Sequence, residues 1–224
     1  MFRWTPKRSS ISSRSSRVWR LSVAEPNRFT RFYEATAGRP PRPTLLFALE
    51  RWHAEHEEAP GFAVDLGCGN GRDTIELLRR GWRVLAVDSE PKAIELLLAR
   101  TDLENRENLT TLCAKMEDLL WDEEVDLVNS SFALFFSPPE RFPVFWQRMI
   151  NAIRPGGRFA GHLLGPNDDW AKRGMTIVTR PALDAFFAAF EFERLEEEDA
   201  DGETAPGQRK HWHIFHVVAR KLTA

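Results

Sequence analysis

An α/β fold built on a doubly wound, mostly parallel sheet is what this chain predicts, and three observations predict it. The first is a strand, glycine turn and helix in succession. The apolar run Phe62-Ala63-Val64 leads into Asp65-Leu66-Gly67-Cys68-Gly69-Asn70-Gly71, and Ile75, Leu77 and Leu78 then recur among charged residues at helical spacing. The second is another buried strand, residues 83–88, which ends in Asp88 roughly 20 residues beyond the turn. The third is the order of the later elements: strands over 109–113 and from Val125, a helix over 142–153, a strand over 158–164, a helix over 181–190, and two strands in a row.

Each element has a local reason. Glycines at alternate positions let the backbone turn tightly with no Cβ in the way, so a ligand can approach the main chain and the first N–H groups of the following helix. Any sharp strand-to-helix turn uses glycine, so the acid on the next strand is the informative partner. A carboxylate at that strand tip accepts two hydroxyl hydrogen bonds, as a ribose would offer. The same acid also suits capping of the helix that begins near Pro91. The helix at 142–153 is amphipathic through Phe142, Val144, Phe145, Met149, Ile150 and Ile153, and Pro155 stops it. Gly156-Gly157 then reads as the turn into the fifth strand, and the polar stretch 199–209 as a loop before the last one.

The stretch from Asp65 to Gly71, followed by Val87-Asp88, resembles the first two motifs of class I S-adenosylmethionine-dependent methyltransferases. The likeness runs from about Phe62 onward, and Arg154-Pro155-Gly156-Gly157 before the fifth strand is a further family-like feature. The resemblance implies a Rossmann-like seven-stranded sheet, mostly parallel with an antiparallel last strand, and S-adenosyl-L-methionine as cofactor. It implies that Asp65, Gly67, Cys68, Gly69 and Gly71 hold the methionine part, that Asp88 holds the ribose and that Ser89 lies beside the adenine. Many relatives carry an acid just after the third strand, where this chain has Lys115; Met116 and Glu117 are then expected at the adenine, and Ser130 at the exit of the fourth strand. The dinucleotide fingerprint G-x-G-x-x-G is not met, because Gly71 comes one residue early and Arg72 stands in the third glycine's place. That argues against a nicotinamide oxidoreductase.

Composition bounds the rest. The 224 residues suit one α/β domain, and 42% hydrophobic with 11% aromatic content suits a large core. Eight Trp and sixteen Phe against one Tyr suit an apolar pocket as well. A net charge of −2 demands no nucleic acid, and no apolar run approaches a membrane span. Cys68 and Cys113 stand in no metal or disulfide spacing, so both are expected reduced in a cytoplasmic setting. Residues 1–26 differ from the 27–224 methyltransferase domain: six basic residues face Glu25 alone, and six serines crowd the middle. Such a segment is expected to be disordered, and it also fits an organelle transit sequence or a basic arm for RNA or anionic lipid.

The acceptor side is expected beyond the carboxyl ends of the strands, where strand order reverses. Residues 129–136 should line it, with Phe132 among the substrate contacts. Tyr33 is a candidate lid residue or simple packing, His162 a base or a hydrogen-bonded core histidine, and Trp170 a substrate contact or part of a helix cap. His211 is a further substrate candidate. His211, His213 and His216 suggest zinc, but alternation in a strand puts His216 on the other face, so no metal site is expected. The nearest resemblance within the family is to small tellurite-resistance-type methyltransferases, through 65–72 and the terminal Ala-Arg-Lys at 219–221. Those enzymes carry a His-Arg pair where this chain has Glu197 and Glu198, so no catalytic residue is transferred. Methyl transfer to a small molecule through a thiol, oxygen, nitrogen or metalloid is the expectation; an RNA or protein methyltransferase guided by the basic arm is the alternative.

Overall fold

The computed structural model describes residues 28–56 and 59–223; the basic stretch 1–26 lies outside them. Two helices come first, α1 (Arg28–Thr36) and α2 (Pro43–His56). Then strands and helices alternate: β1 (Phe62–Leu66), α3 (Arg72–Arg79), β2 (Arg83–Asp88), α4 (Pro91–Leu98), β3 (Leu109–Cys113), β4 (Val125–Ser130), α5 (Phe142–Ala152), β5 (Ile153–Leu164) and α6 (Arg180–Phe186). The chain closes on a hairpin, β6 (Phe190–Glu203) and β7 (Arg209–Lys221).

All seven strands join one sheet in the order β3-β2-β1-β4-β5-β7-β6. The pairs β3–β2, β2–β1, β1–β4 and β4–β5 are parallel, whereas β7 runs antiparallel to both β5 and β6. From β1 the chain moves outward through β2 to β3 and then returns to the other side of β1 as β4. Neighbouring crossovers therefore leave in opposite directions between β1 and β4, the place where open α/β sheets bind their ligands. Both faces of the sheet are covered. Leu45, Leu49, Trp52, Ile75, Leu78 and Leu97 from α2, α3 and α4 build one core. Phe145, Trp146, Met149, Leu183 and Phe187 build the other around α5 and α6.

Two expectations are corrected by strand pairing. The Pro155-Gly156-Gly157 run is no turn into the fifth strand; β5 already begins at Ile153, paired with Val125, and the register slips before Leu127 meets Arg158. The extra residues are a bulge, with Gly156 at φ 81. The stretch 199–209 is mostly strand, because pairing continues from Phe190↔Lys221 to Glu203↔Arg209. Polar residues persist in this ladder because they meet hydrogen-bonding partners across it: His211 with Asp199 and Asp201, His213 with Glu197, His216 with Glu198. No helix among the described residues is long and apolar enough to cross a membrane.

Candidate functional site

The glycine turn sits at the carboxyl end of β1 and is stitched to β2. Gly67 and Cys68 both donate their N–H groups to the Val87 carbonyl, at 2.8 and 3.0 Å. Gly67, Gly69 and Gly71 have φ of 70, 56 and 84°, a region that disfavours side chains. At Gly67 the need is also steric, since a Cβ there would lie 2.2 Å from that of Ala133. Asp88, at the tip of β2, closes the other side. One carboxylate oxygen accepts the Gly69 N–H at 2.9 Å, and the other accepts the Glu90 N–H at 2.9 Å. Burial raises the Asp88 pKa, while those N–H groups pull it back down. Asp88 thus ties the Glu90 N–H, ahead of α4, to the glycine turn.

Behind the turn lies a buried polar network that the sequence reading missed. Asp65 accepts from Thr74 Oγ1 at 2.6 Å and Asn129 Nδ2 at 2.8 Å, and it is almost wholly buried. Asp73 accepts from Ser131 Oγ at 2.6 Å, Asn129 Nδ2 at 3.2 Å and the backbone N–H of Arg42 at 2.9 Å. Burial first, and the adjacent Asp73 second, push the Asp65 pKa up to about 7. The network ties β1, α3, β4 and the start of α2 to one another. Asp73 in the first turn after the glycines was the available signal.

Tyr33 comes from α1 and covers this turn. A Cβ on Gly69 would meet its ring at 3.4 Å, and its carbonyl accepts Asn70 Nδ2 at 3.0 Å. The Tyr33 hydroxyl titrates well above its ordinary range because it is buried and faces Asp88 and Glu90. The sole Tyr is therefore packed against the turn.

On the β4 and β5 side an aromatic cluster forms. Phe132 stacks on His162 with centroids 4.2 Å apart, meets the edge of Trp212 at 5.7 Å and carries the Arg42 guanidinium at 4.3 Å. Trp212 continues to Trp170 at 5.3 Å. Phe132 has φ 57, a strained conformation for a bulky residue and one that gathers at functional sites. His162 is 2% exposed, its Nδ1 has no partner among the described residues, and its pKa falls well below 6.5. Burial is the main cause, followed by His216, Arg42 and Arg72, so the ring is neutral near pH 7.

The remaining candidates divide. Ser89 is exposed beside Asp88, Met116 is half-buried, and Glu117 is buried with its carbonyl accepting from Arg148 at 2.8 Å. β3 meets the tip of β2 through the Ala114 N–H and the Asp88 carbonyl at 3.0 Å, so this corner lies beside Asp88. Ser130 is fully buried and gives its hydroxyl to the Leu66 carbonyl at 3.1 Å, where it serves the β1–β4 seam. Trp170 joins the aromatic cluster and, with Trp212, flanks the Lys210 ammonium, which is paired with buried Asp168. His211 is corrected: alternation along β7 directs Trp212 and His216 at Phe132 and turns His211 to the other face, where both ring nitrogens meet Asp199 and Asp201.

Residues 63–157 match the family model described as "Methyltransferase domain". Carboxy-S-adenosyl-L-methionine synthase from Citrifermentans bemidjiense is 32% identical over 111 residues, 46% of this chain and 45% of that protein. The chain thus spans about half the length of that curated relative. Among solved structures, TehB from Haemophilus influenzae is similar with a TM-score of 0.62 and 20% identity, over 77% of this chain and 61% of that one. The 1,6-didemethyltoxoflavin-N1-methyltransferase of Burkholderia thailandensis, solved with its acceptor and S-adenosylhomocysteine, has a TM-score of 0.57 and 23% identity, over 81% of this chain and 79% of that one. Residues 63–157, which match a methyltransferase domain, thus span the glycine turn and the first parallel strands of a sheet of this order.

Proposed function

We propose that this chain transfers a methyl group from S-adenosyl-L-methionine to a small-molecule acceptor. The observation that carries the reading is the joint between Asp88 and Gly69 at the sheet's switch point. It presents a bare main-chain turn and an acceptor-only carboxylate to one crevice. The residues fit the cofactor: each Asp88 oxygen accepts one backbone N–H and retains lone-pair capacity for a hydroxyl, and the turn beside it carries no side chain at Gly67, Gly69 or Gly71. The methyltransferase-domain match and the S-adenosylhomocysteine held by a neighbour of the same fold support it.

When bound, this cofactor supplies an electrophilic methyl group on a sulfonium. The chain's own work is then to align, enclose and keep dry. Asp88 orients the hydroxyl-bearing part, while Gly67, Gly69 and Gly71 admit the amino-acid part. Ser89, Met116 and Glu117 border the far side. Phe132, His162, Trp212 and Trp170 offer an apolar, ring-lined wall to the acceptor. Alignment of this kind is worth ~7–11 kcal/mol. His162, kept neutral, hydrogen-bonds an acceptor without adding a second cation beside the sulfonium.

Titration calorimetry with S-adenosylmethionine, followed by labelled methyl transfer over a panel of thiols, amines, phenols and metalloid oxyanions, tests the reading. Binding and transfer to at least one small acceptor are expected. Absence of cofactor binding sinks it, and transfer to RNA or protein alone sinks the small-molecule part.

A further inference from the structure

One buried cation beside the Phe132 cluster has no part in the chemistry above. The Lys210 side chain is 4% exposed, that of Asp168 is wholly buried, and the two form an ion pair. The ammonium lies against two indole rings, 3.9 Å from the Trp170 centroid and 3.7 Å from that of Trp212. Asp168 fixes both supports. Its carboxylate accepts the N–H of Trp170 at 2.9 Å and that of His213, next to Trp212, at 3.0 Å. The loop after β5 is thereby tied to the part of β7 that runs past the last β5 pair, Leu164↔Ile214.

Two indole faces around one ammonium are what a protein offers a cationic ligand. Here the chain fills that cage with its own lysine. A second cation brought to these rings would meet the field of Lys210 at close range. Phe132 is occupied in the same way, with the Arg42 guanidinium 4.3 Å from its centroid. What the three rings retain for a ligand is apolar area and ring stacking, both of which suit an uncharged flat ring.

Given the methyl-transfer reading above, we infer that the acceptor is an uncharged aromatic molecule, and that Lys210, as a built-in cation between Trp170 and Trp212, keeps ammonium compounds off that wall. Lys210 is then a specificity determinant that acts through the two indoles.

Calorimetry on the full chain saturated with S-adenosylhomocysteine tests this with two probes. 2-Naphthol is the uncharged aromatic and tetramethylammonium the cation. Wild type is expected to prefer 2-naphthol by about tenfold or more. Lys210→Ala empties the cage and leaves the Asp168 carboxylate behind the rings, so it is expected to gain tetramethylammonium binding. A lysine that merely holds the fold gives no such gain, because its loss weakens both probes. Lys210→Arg keeps a cation in place and should keep the wild-type preference. Lys210→Ala combined with Asp168→Asn removes the charge left unpaired and guards against a misfolded single variant; its preference should shrink toward parity. The inference is overturned if wild type binds tetramethylammonium as well as 2-naphthol, if it binds neither, or if the preference persists unchanged in folded Ala variants. In each of those cases cofactor-product binding by wild type survives. If wild type binds no S-adenosylhomocysteine, the methyl-transfer reading falls first and takes the inference with it.

Discussion

Asp88 and Asp65 are both buried acids on adjacent strands, but their surroundings give them different work. Asp88 holds two backbone N–H groups at the edge of the crevice, whereas Asp65 spends its oxygens on Thr74 and Asn129 inside. Asp88→Ala is therefore expected to weaken S-adenosylmethionine binding about tenfold or more, on the order of 1–3 kcal/mol for lost charged hydrogen bonds. Calorimetry reads this directly, and unchanged affinity counts against the site. Asp65 makes a prediction about pH. Its pKa is raised from 3.8 to about 7 by burial and by Asp73, so the folded chain binds a proton more tightly than the unfolded one. Its contribution is favourable below the ordinary value and is lost as pH rises toward the folded one. Asp65→Asn removes that dependence. Urea unfolding should show the variant gaining on wild type as pH rises from about 4 through about 7, with the difference levelling off above. A difference independent of pH would show that Asp65 is not held protonated.

At the scale of elements, the glycine turn matters because three partners close on it at once. Val87 accepts its N–H groups, Ala133 presses on Gly67, and Tyr33 of α1 covers Gly69. Gly67→Ala combines a clash with Ala133 and a left-handed φ. It is expected to cost about 1–3 kcal/mol and to lower cofactor affinity as well, which denaturant melts and calorimetry report separately. The β6–β7 hairpin shows the other side of element-level logic. Alternation along β7 gives Trp212 and His216 to the Phe132 ring and His211 to the acids of β6. His211→Ala should thus leave turnover close to wild type, while Trp212→Ala should raise the acceptor's KM.

Across the whole molecule, the layers are joined by a buried cation. Arg158 on β5 is fully buried and bonds Glu193 of β6 at 2.7 and 2.8 Å and Glu55 of α2 at 2.7 Å. Those carboxylates are drawn below their usual range by Arg158, against the opposing effect of burial. Removing the cation leaves Glu193 with Arg51 alone, at 3.2 Å, and leaves Glu55 without its 2.7 Å partner. Arg158→Met is expected to destabilise the fold by about 3–5 kcal/mol in urea unfolding, with the cofactor site intact in whatever remains folded. A loss below about 1 kcal/mol, the worth of a surface pair, would place Arg158 in contact with water.

Strand, turn and helix could be read along the chain because their causes are local. Apolar spacing marks β1 and α3, alternate glycines mark the turn, and an acid at a strand tip marks Asp88; each involves neighbours within a few residues. The Pro-Gly-Gly bulge and the length of the last hairpin were misread for the opposite reason, since only the facing strand shows whether polar or glycine-rich residues stay in a ladder. The same holds for the site. Asp73 meets Arg42, 31 residues earlier, and Ser131, 58 residues later, and Phe132 meets His162 across two strands. Residue order specified the elements through short-range sterics and hydrophobic period. Folding alone decided which buried charges share a neighbourhood, because that energy depends on distances that packing sets.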